Sequence, residues 1–256
     1  EGASEGFLLT TGKDSLIKLW DLSSRHCIET HISQTNGECW ALGLSPDYSG
    51  CVTAGNDGEI KVWSLDADGL ALSARKVDMP AAAQFLQDRG TLHRQSKDKA
   101  TEVVFHPKKD YFAVHGSEKA VDVWRIRSEA EIKKALARKR RRRREKAKDA
   151  KAAEEEANVG EEPVDVSKAD ISDVFVQYVI VRTGGKVRSV DWAVPTGQKD
   201  LHLLVGTTNN LLEYYSLSPK DKSEKSKKDA PDYTRALSVE VPGHRTDIRA
   251  LSLSSD

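Results

Sequence analysis

GNDGEIKVWSL, which runs from Gly55 to Leu65, is the stretch of sequence that decides the fold. Its second half alternates apolar and polar residues and contains β-branched and aromatic side chains, which predicts a strand. Its first half, Gly-Asn-Asp-Gly, is typical of a tight turn. The short apolar run CVTAG, from Cys51 to Gly55, ends on the first residue of this stretch. The sequence here therefore predicts two strands joined by a tight turn.

The same plan occurs four times along the chain. Each copy has a turn residue six positions before an aromatic residue. The four pairs are Asp14 and Trp20, Asp57 and Trp63, Glu118 and Trp124, and Asn209 and Tyr215. The steps between successive aromatic residues are 43, 61 and 91 residues. The first step matches the period of four-stranded propeller blades, and the others indicate the same unit with inserted material.

These units resemble WD40 repeats, and the resemblance implies an all-β fold of WD40 β-propeller blades. In that family an Asp of the tight turn, a Trp of the next strand and the His of a Gly-His pair form a hydrogen-bonded network within a blade. The positions of this chain that fit are Asp14 with Trp20, Asp57 with Trp63, and the pair Gly243 and His244. Trp124 and Tyr215 take the aromatic place in the other two units.

The chain also departs from the WD40 pattern. Ser33-Gln34 stands near the place where the unit of Trp63 would have its Gly-His pair. Glu118 and Asn209 replace the turn aspartate in the third and fourth units, and Tyr215 replaces the tryptophan. We therefore expect packing, rather than this hydrogen-bonded network, to hold most of the blades together.

The ends of the chain are expected to fall inside blades. Residues 1–236 are expected to be C-terminal blades of a first propeller, and residues 237–256 the first strands of a second propeller or of the next blade. Three complete units lie between the two ends, whereas propellers have about four to eight blades. The sequence is therefore expected to be a fragment of a longer protein, containing a partial propeller.

Three stretches do not fit the repeat. Residues 67–100 are expected to form a long strand and loop excursion. Residues 219–233 have the composition of a disordered loop. Residues 127–170 form a third insertion of a different kind, which contains a strongly basic segment.

The basic segment predicts a helix. SEAEIKKALARKRRRRREKAKDAKAAEEEA, residues 128–157, is rich in Ala, Glu, Lys and Arg and has neither Gly nor Pro. Ser128 and Glu131 have the spacing of a capping box, which places the helix start there. Residues 127–151 contain thirteen basic and four acidic residues, whereas residues 154–165 contain six acidic residues and no basic one.

Three interpretations of the densest basic run remain open. The run consists of Arg138, Lys139, Arg140, Arg141, Arg142, Arg143 and Arg144. It is a solvated surface segment, a nuclear or nucleolar targeting signal, or a direct contact for RNA phosphates. The last two are compatible with each other. No aromatic residues accompany the run, so RNA contact through it would be independent of sequence.

The sequence contains no recognisable active site. Its seven histidines are scattered, and none forms a metal-binding spacing with another His or with Cys. Gly184-Gly185 is interpreted as a hairpin turn, because the phosphate-loop motif is absent. No window has the roughly 18 apolar residues that a membrane-spanning helix needs. We therefore expect neither an enzyme nor a cofactor, metal, small-molecule substrate or membrane partner.

The order of these parts resembles one family in particular, the WD repeat protein three, or DIP2-like, family. Its members are tandem-propeller subunits of the UTP-B subcomplex of the small-subunit processome. The resemblance rests on GKDSLIKLWDLSSRHCIET, CVTAGNDGEIKVWSLD, NNLLEYYSLSP and GHRTDIRALSLSSD in this order. The most discriminating feature is FAVHGSEKAVDVWRI (Phe112–Ile126), which is followed almost directly by EAEIKKALARKRRRRREK (Glu129–Lys146).

This resemblance implies a scaffold of the nucleus and nucleolus that acts in small ribosomal subunit assembly and precursor rRNA processing. The implied partners are other propeller subunits of the UTP-B complex, the U3 small nucleolar RNA and precursor rRNA. The alternative is a peptide-binding WD40 adaptor in a nuclear complex, such as a chromatin or ubiquitin-ligase complex, in which the basic segment is only a targeting signal.

Overall fold

A computed structural model describes residues 6–35, 37–74, 84–149, 169–197, 200–218, 233–240 and 249–252. The chain divides into two compact units. The first combines Glu1–Trp124 with Gln177–Asp256, and the second is Arg125–Val176.

Four antiparallel sheets are present among the described residues. The first sheet contains β1 (Phe7–Thr11), β2 (Leu16–Asp21) and β3 (His26–Ile32). The second contains β4 (Cys39–Leu44), β5 (Gly50–Gly55), β6 (Glu59–Leu65) and β7 (Leu86–His93). The third contains β8 (Ala100–Phe105), β9 (Tyr111–Gly116), β10 (Ala120–Ile126) and β11 (Phe175–Arg182). The fourth contains β12 (Val187–Ala193), β13 (Leu201–Thr207), β14 (Leu211–Leu217) and β15 (Tyr233–Glu240).

Strands that are consecutive in the sequence are neighbours in each sheet, as in a propeller blade. The aromatic strand is the third of each four-stranded sheet, and the register repeats. The strand that follows each of three aromatic strands has an extra residue directly beside Trp20, Trp63 and Tyr215. The predicted all-β fold of WD40-type blades is confirmed.

The sheets pack on one another through their first strands, β4 against β8 and β8 against β12. Gly43 allows β4 to approach β8 closely, because a Cβ atom at this position would lie 2.6 Å from Cγ1 of Val103. The core between the third and fourth sheets consists of alternate strand residues such as Val123, Val190 and Leu203, all of them buried. Each such aliphatic side chain contributes about 1.5–3 kcal/mol on burial.

All three insertions interrupt the same connection, the one between the third and fourth strands of a sheet. The first contains α1 (Ala67–Ala74), and the second contains α2 (Glu129–Asp149) and α3 (Ile171–Val174). The third lies between β14 and β15, and residues 219–232 of it are outside the described residues. Their common position was not predicted.

Two of the boundaries predicted from the sequence need correction. Residues 67–100 are not wholly outside the repeat, because Leu86–His93 forms β7, the fourth strand of the second sheet. The expected boundary between residues 236 and 237 lies inside β15, which pairs with β14 as far as Leu211 and Glu240. Residues 237–240 therefore complete the fourth sheet, and the division of the chain between two propellers stays a prediction.

Candidate functional site

The first two sheets contain hydrogen bonds at the predicted WD40 positions. Trp20 donates from Nε1 to Oγ1 of Thr10 at 2.8 Å, and Trp63 donates to Thr53 at 3.0 Å. The turn aspartates accept backbone N–H groups two residues ahead, Asp14 from Leu16 at 3.2 Å and Asp57 from Glu59 at 3.1 Å. These bonds add to the packing of the first two sheets, but they do not by themselves form the Asp–His–Trp network.

The histidine place of the second sheet is occupied by Gln34, which is buried. Among the described residues, Nε2 of Gln34 and Oδ2 of Asp57 are buried and have no hydrogen-bond partner. The glutamine therefore does not complete the network with the turn aspartate. Gly243 and His244, where the sequence has the Gly-His pair, lie outside the described residues.

The third sheet is held by a buried ion pair that the sequence analysis missed. Nε of Arg94 lies 2.8 Å from Oδ2 of Asp122, and both side chains are at most 1% exposed. Asp98 accepts a second bond from the same guanidinium at 3.3 Å. Nε1 of Trp124 is buried and has no partner in the described part of the chain. The pair therefore connects the loop before the first strand of this sheet to its third strand.

The fourth sheet uses a buried carboxylate for the same purpose. Glu213 accepts the backbone N–H of Gly184 at 3.0 Å, the Tyr215 hydroxyl at 2.8 Å and Nη1 of Arg235 at 2.9 Å. Burial, together with the bond to Glu213, raises the pKa of Tyr215 well above its ordinary value. Gly184-Gly185 is not a hairpin turn as expected, since it joins β11 to β12 of the next sheet.

These anchors share one register position, two residues before the aromatic residue. Asp122 precedes Trp124, Glu213 precedes Tyr215, and Lys61 precedes Trp63. Lys61 donates to the carbonyl oxygen of Ile32, the last residue of β3, at 2.9 Å. The signal in the sequence was a charged residue at the same place in otherwise apolar strands.

The predicted helix in the second unit begins where expected. α2 starts at Glu129, and the Glu131 carboxylate accepts the backbone N–H of Ser128 at 3.2 Å, which is one half of a capping box. Arg125 binds the same carboxylate at 2.8 and 2.9 Å. These bonds fix the start of the helix, although each ion pair at the surface contributes only about 0–1 kcal/mol.

A second group of contacts holds the middle of α2 against α3. Nζ of Lys139 lies 2.9 Å from Asp173 and 3.0 Å from Asp170. Hydrogen bonds from Lys139 to the two carboxylates raise its pKa. Ile132 and Leu136 precede Lys139 by seven and three positions, which places all three on one face of the helix. Lys139 therefore belongs to the internal face of this unit, which sets it apart from the rest of the basic run.

Other members of the run are exposed. They are Arg138, Arg140, Arg141 and Arg142. At about 100° of rotation and 1.5 Å of rise per residue, these four positions cover roughly 200° of the helix circumference within about 6 Å. The side chains of Arg143 and Arg144 lie outside the described residues. The arrangement is a dense cationic surface on the side of α2 that faces away from Lys139.

In the described residues, no cluster of three or more His, Cys, Asp and Glu side chains could hold a metal ion. No helix in the described part of the chain has the length and apolar character needed to cross a membrane. A cavity of about 480 Å³ in the first unit is lined mainly by apolar side chains, including Leu19, Leu42 and Leu70, and the Tyr48 side chain adds a hydroxyl to this lining.

His106 is an example of a histidine with a structural role. Its Nδ1 accepts the backbone N–H groups of Lys108 and Lys109, both at 3.0 Å. Its ring lies 5.2 Å from the ring of Trp192. Burial, assisted by the nearby charge of Lys109, lowers the pKa of His106 to about 4. The ring is therefore neutral at physiological pH and acts as a turn acceptor.

Comparison with known proteins supports the assignment of the fold. The family described as "WD domain, G-beta repeat" matches residues 23–64. The chain is 30% identical to U3 small nucleolar RNA-associated protein 12 of Saccharomyces cerevisiae over 98% of its own length and 24% of that protein. It is 28% identical to WD repeat-containing protein 3 of Mus musculus and of Homo sapiens, over 65% of its own length and 16% of theirs. It thus spans a quarter or less of these relatives. Together with the four blade-type sheets and the repeated aromatic strand, these similarities show that the chain contains WD40-type repeats.

Proposed function

We propose that this chain is a non-catalytic scaffold in the assembly of the small ribosomal subunit and the processing of precursor rRNA. It acts as part of the U3 ribonucleoprotein and small-subunit processome, in the nucleus and nucleolus. Its partners are other propeller subunits of the UTP-B complex, and its basic helix contacts phosphates of the U3 small nucleolar RNA or of precursor rRNA.

The main support for this role is the similarity to a U3 small nucleolar RNA-associated protein along almost the whole chain. A scaffold also fits the chemistry of the described residues, which offer several sheet edges and loops but no metal cluster. WD40 blades support many functions, so the fold alone does not choose among them.

The single structural observation that carries the RNA contact is the exposed arginine surface of α2. The helix is held by contacts at Ser128 and Lys139, which leave Arg138 and Arg140–Arg142 at the surface. A fixed helix loses less conformational freedom on binding than a flexible basic tail. The guanidinium groups are suited to bidentate phosphate contact.

The geometry limits the number of phosphates that the run can contact. Because the four arginines cover about 200° of the helix, roughly three of them can face one RNA strand together. Three released counterions correspond to a slope near −2 in a plot of log K against log salt concentration for single-stranded RNA. A run in which all seven cations contacted phosphates would give a slope near −5.

The test is RNA binding over a salt series. Replacement of the four exposed arginines by glutamine should weaken binding and make the salt slope less negative by about 2. The matched control neutralises four lysines of another insertion, Lys222, Lys225, Lys227 and Lys228. If the arginine variant and the lysine control bind RNA with the same affinity and the same salt slope, the proposed contact between the basic helix and RNA is refuted.

The role in the processome has its own test. Affinity purification of the full-length protein should recover UTP-B subunits and U3 small nucleolar RNA. Recovery of chromatin or ubiquitin-ligase subunits without nucleolar RNA would favour the peptide-binding adaptor and refute the scaffold role.

A further inference from the structure

The first strands of three sheets share an irregularity at their second residue. In β4, Cys39 pairs with Gly55 and Ala41 with Ala54, so Trp40 is an extra residue without a partner in β5. Thr101 in β8 and Arg188 in β12 are the corresponding extra residues. All three side chains are exposed. Bulges commonly redirect a side chain at a functional position, and here the repeated bulge presents Trp40 to solvent.

Trp40 is the centre of a small cationic surface. Its side chain is 38% exposed, whereas Trp63, Trp124 and Trp192 are each at most 5% exposed. The ammonium group of Lys13, in the turn between β1 and β2, lies 4.9 Å from the centre of the Trp40 ring. The ammonium group of Lys99, just before β8, lies 4.6 Å from the same centre.

The acidic groups nearest in sequence to these residues are already engaged. Asp14 accepts the backbone N–H of Leu16, and Asp98 accepts bonds from Arg94. Glu38 accepts a bond from the side-chain amide of Asn56 at 3.4 Å. The two lysines therefore have an aromatic ring, rather than a carboxylate, as their partner in the contacts described here.

The relative strength of the contacts decides what this surface can bind. An exposed lysine–ring contact is worth about 2- to 5-fold in an equilibrium constant. Stacking of a nucleobase on an aromatic side chain is worth about 5- to 150-fold per base. A base can therefore displace a lysine from the ring, and the released ammonium group stays close enough to attract the phosphates that flank the base. An acidic peptide would use the lysines but not the flat face of the ring.

We propose that Trp40, with Lys13 and Lys99, is a stacking site for an unpaired nucleotide of an RNA strand. This inference rests on the proposed function for the identity of the partner class, but it concerns a different part of the chain. The basic helix contacts phosphates regardless of strandedness, whereas the Trp40 site requires a base that is free to stack. The two sites therefore predict different substrate preferences.

The experiment compares a 12-nucleotide oligouridine with a 12-base-pair RNA duplex by fluorescence anisotropy, using the 256-residue chain. Trp40→Ala should weaken oligouridine binding by at least about 5-fold and leave duplex binding unchanged. Trp40→Phe should lose less, because it keeps a stacking ring. Oligouridine should also quench tryptophan fluorescence in the parent chain and less so in Trp40→Ala. Unfolding curves check that each variant is folded, and Lys13→Ala with Lys99→Ala provides an independent variant that should weaken oligouridine binding.

The outcomes separate the two proposals. If Trp40→Ala and the double lysine variant bind oligouridine as the parent does, the stacking site is refuted, while the arginine-dependent binding can still stand. If neutralising the four arginines changes nothing but Trp40→Ala weakens oligouridine binding, the helix contact fails and the stacking site stands. A 12-residue polyglutamate that binds as tightly as oligouridine, with the same dependence on Trp40, would assign the site to acidic peptides and overturn the RNA assignment.

Discussion

Arg94→Met is the substitution that tests how the third sheet is held together. It removes the guanidinium group that lies 2.8 Å from the Asp122 carboxylate and keeps an unbranched side chain of similar reach. Asp122 is fully buried, and its other described bond comes from the amide of Gln177 at the long distance of 3.4 Å. The substitution therefore leaves a carboxylate inside the sheet without a cation.

Breaking a buried ion pair by removing one partner costs about 3–5 kcal/mol. With a urea dependence of about 2–3 kcal/mol per M, this cost lowers the unfolding midpoint by roughly 1–2 M. The double variant Arg94→Met with Asp122→Leu removes both charges and should recover most of the loss, because an apolar pair in place of a buried ion pair is often neutral or stabilising. The single variant should therefore be less stable than the double variant.

The measurement is urea unfolding followed by circular dichroism and by tryptophan fluorescence, since Trp124 lies in the same strand as Asp122. Asp122→Leu alone completes the cycle, and it leaves Arg94 its contact with Asp98. Equal stabilities of the single variant Arg94→Met and the double variant would refute the reasoning, because the unpaired carboxylate would then cost nothing.

Three further changes have defined outcomes. Gln34→His should raise the free energy of unfolding by about 1 kcal/mol by giving the buried oxygen of Asp57 a donor; an unchanged or lower urea midpoint would contradict this. The pKa of His106 falls from 6.5 to about 4 on folding, so its contribution to stability is complete above pH 6.5 and is lost as the pH falls towards 4. Ser45 occupies the matching position after β4, and His106→Ser, which introduces that residue, should flatten the stability profile in this window; an unaltered profile would exclude His106 as its cause. Lys139→Ala should speed amide hydrogen exchange in α2, whereas Lys134→Ala, at an exposed position of the same helix, should not. Equal exchange rates in both variants would show that the contact of Lys139 with α3 does not stabilise the helix.

The sequence predicted those parts of the fold in which local chemistry repeats. The aromatic strands, their turns and the start of α2 all follow from residues close together in the chain. Two of the fourth strands, β7 and β15, were not recognised, because most of their side chains are exposed or half-buried and lack apolar alternation. LQDRGTLH in β7 and YTRALSVE in β15 show this, since five or more of their eight residues are exposed or half-buried. Their pairing with the third strand, rather than their own composition, makes them strands.

The polar anchors were missed for a different reason. Arg94 and Asp122 are 28 positions apart, so no local pattern connects them. The basic run was interpreted as uniform, although helix periodicity places Lys139 on the face of Ile132 and Leu136. Trp40 resembled an ordinary strand residue, because a bulge depends on the register between two strands. A residue-by-residue comparison of the repeats would have revealed the charged position before each aromatic residue.

The shared position of the insertions has a thermodynamic consequence. The connection between the aromatic strand and the strand that follows it has four residues in the first sheet, 22–25, and 48 residues in the third sheet, 127–174. Since the entropy of closing a loop grows only with the logarithm of its length, this twelvefold extension costs about 2 kcal/mol. That amount is comparable to burying one more aliphatic side chain. A long insertion at this connection therefore lowers the stability by no more than about one buried aliphatic side chain contributes, and we expect the short turn at 22–25 to tolerate an inserted domain for the same reason.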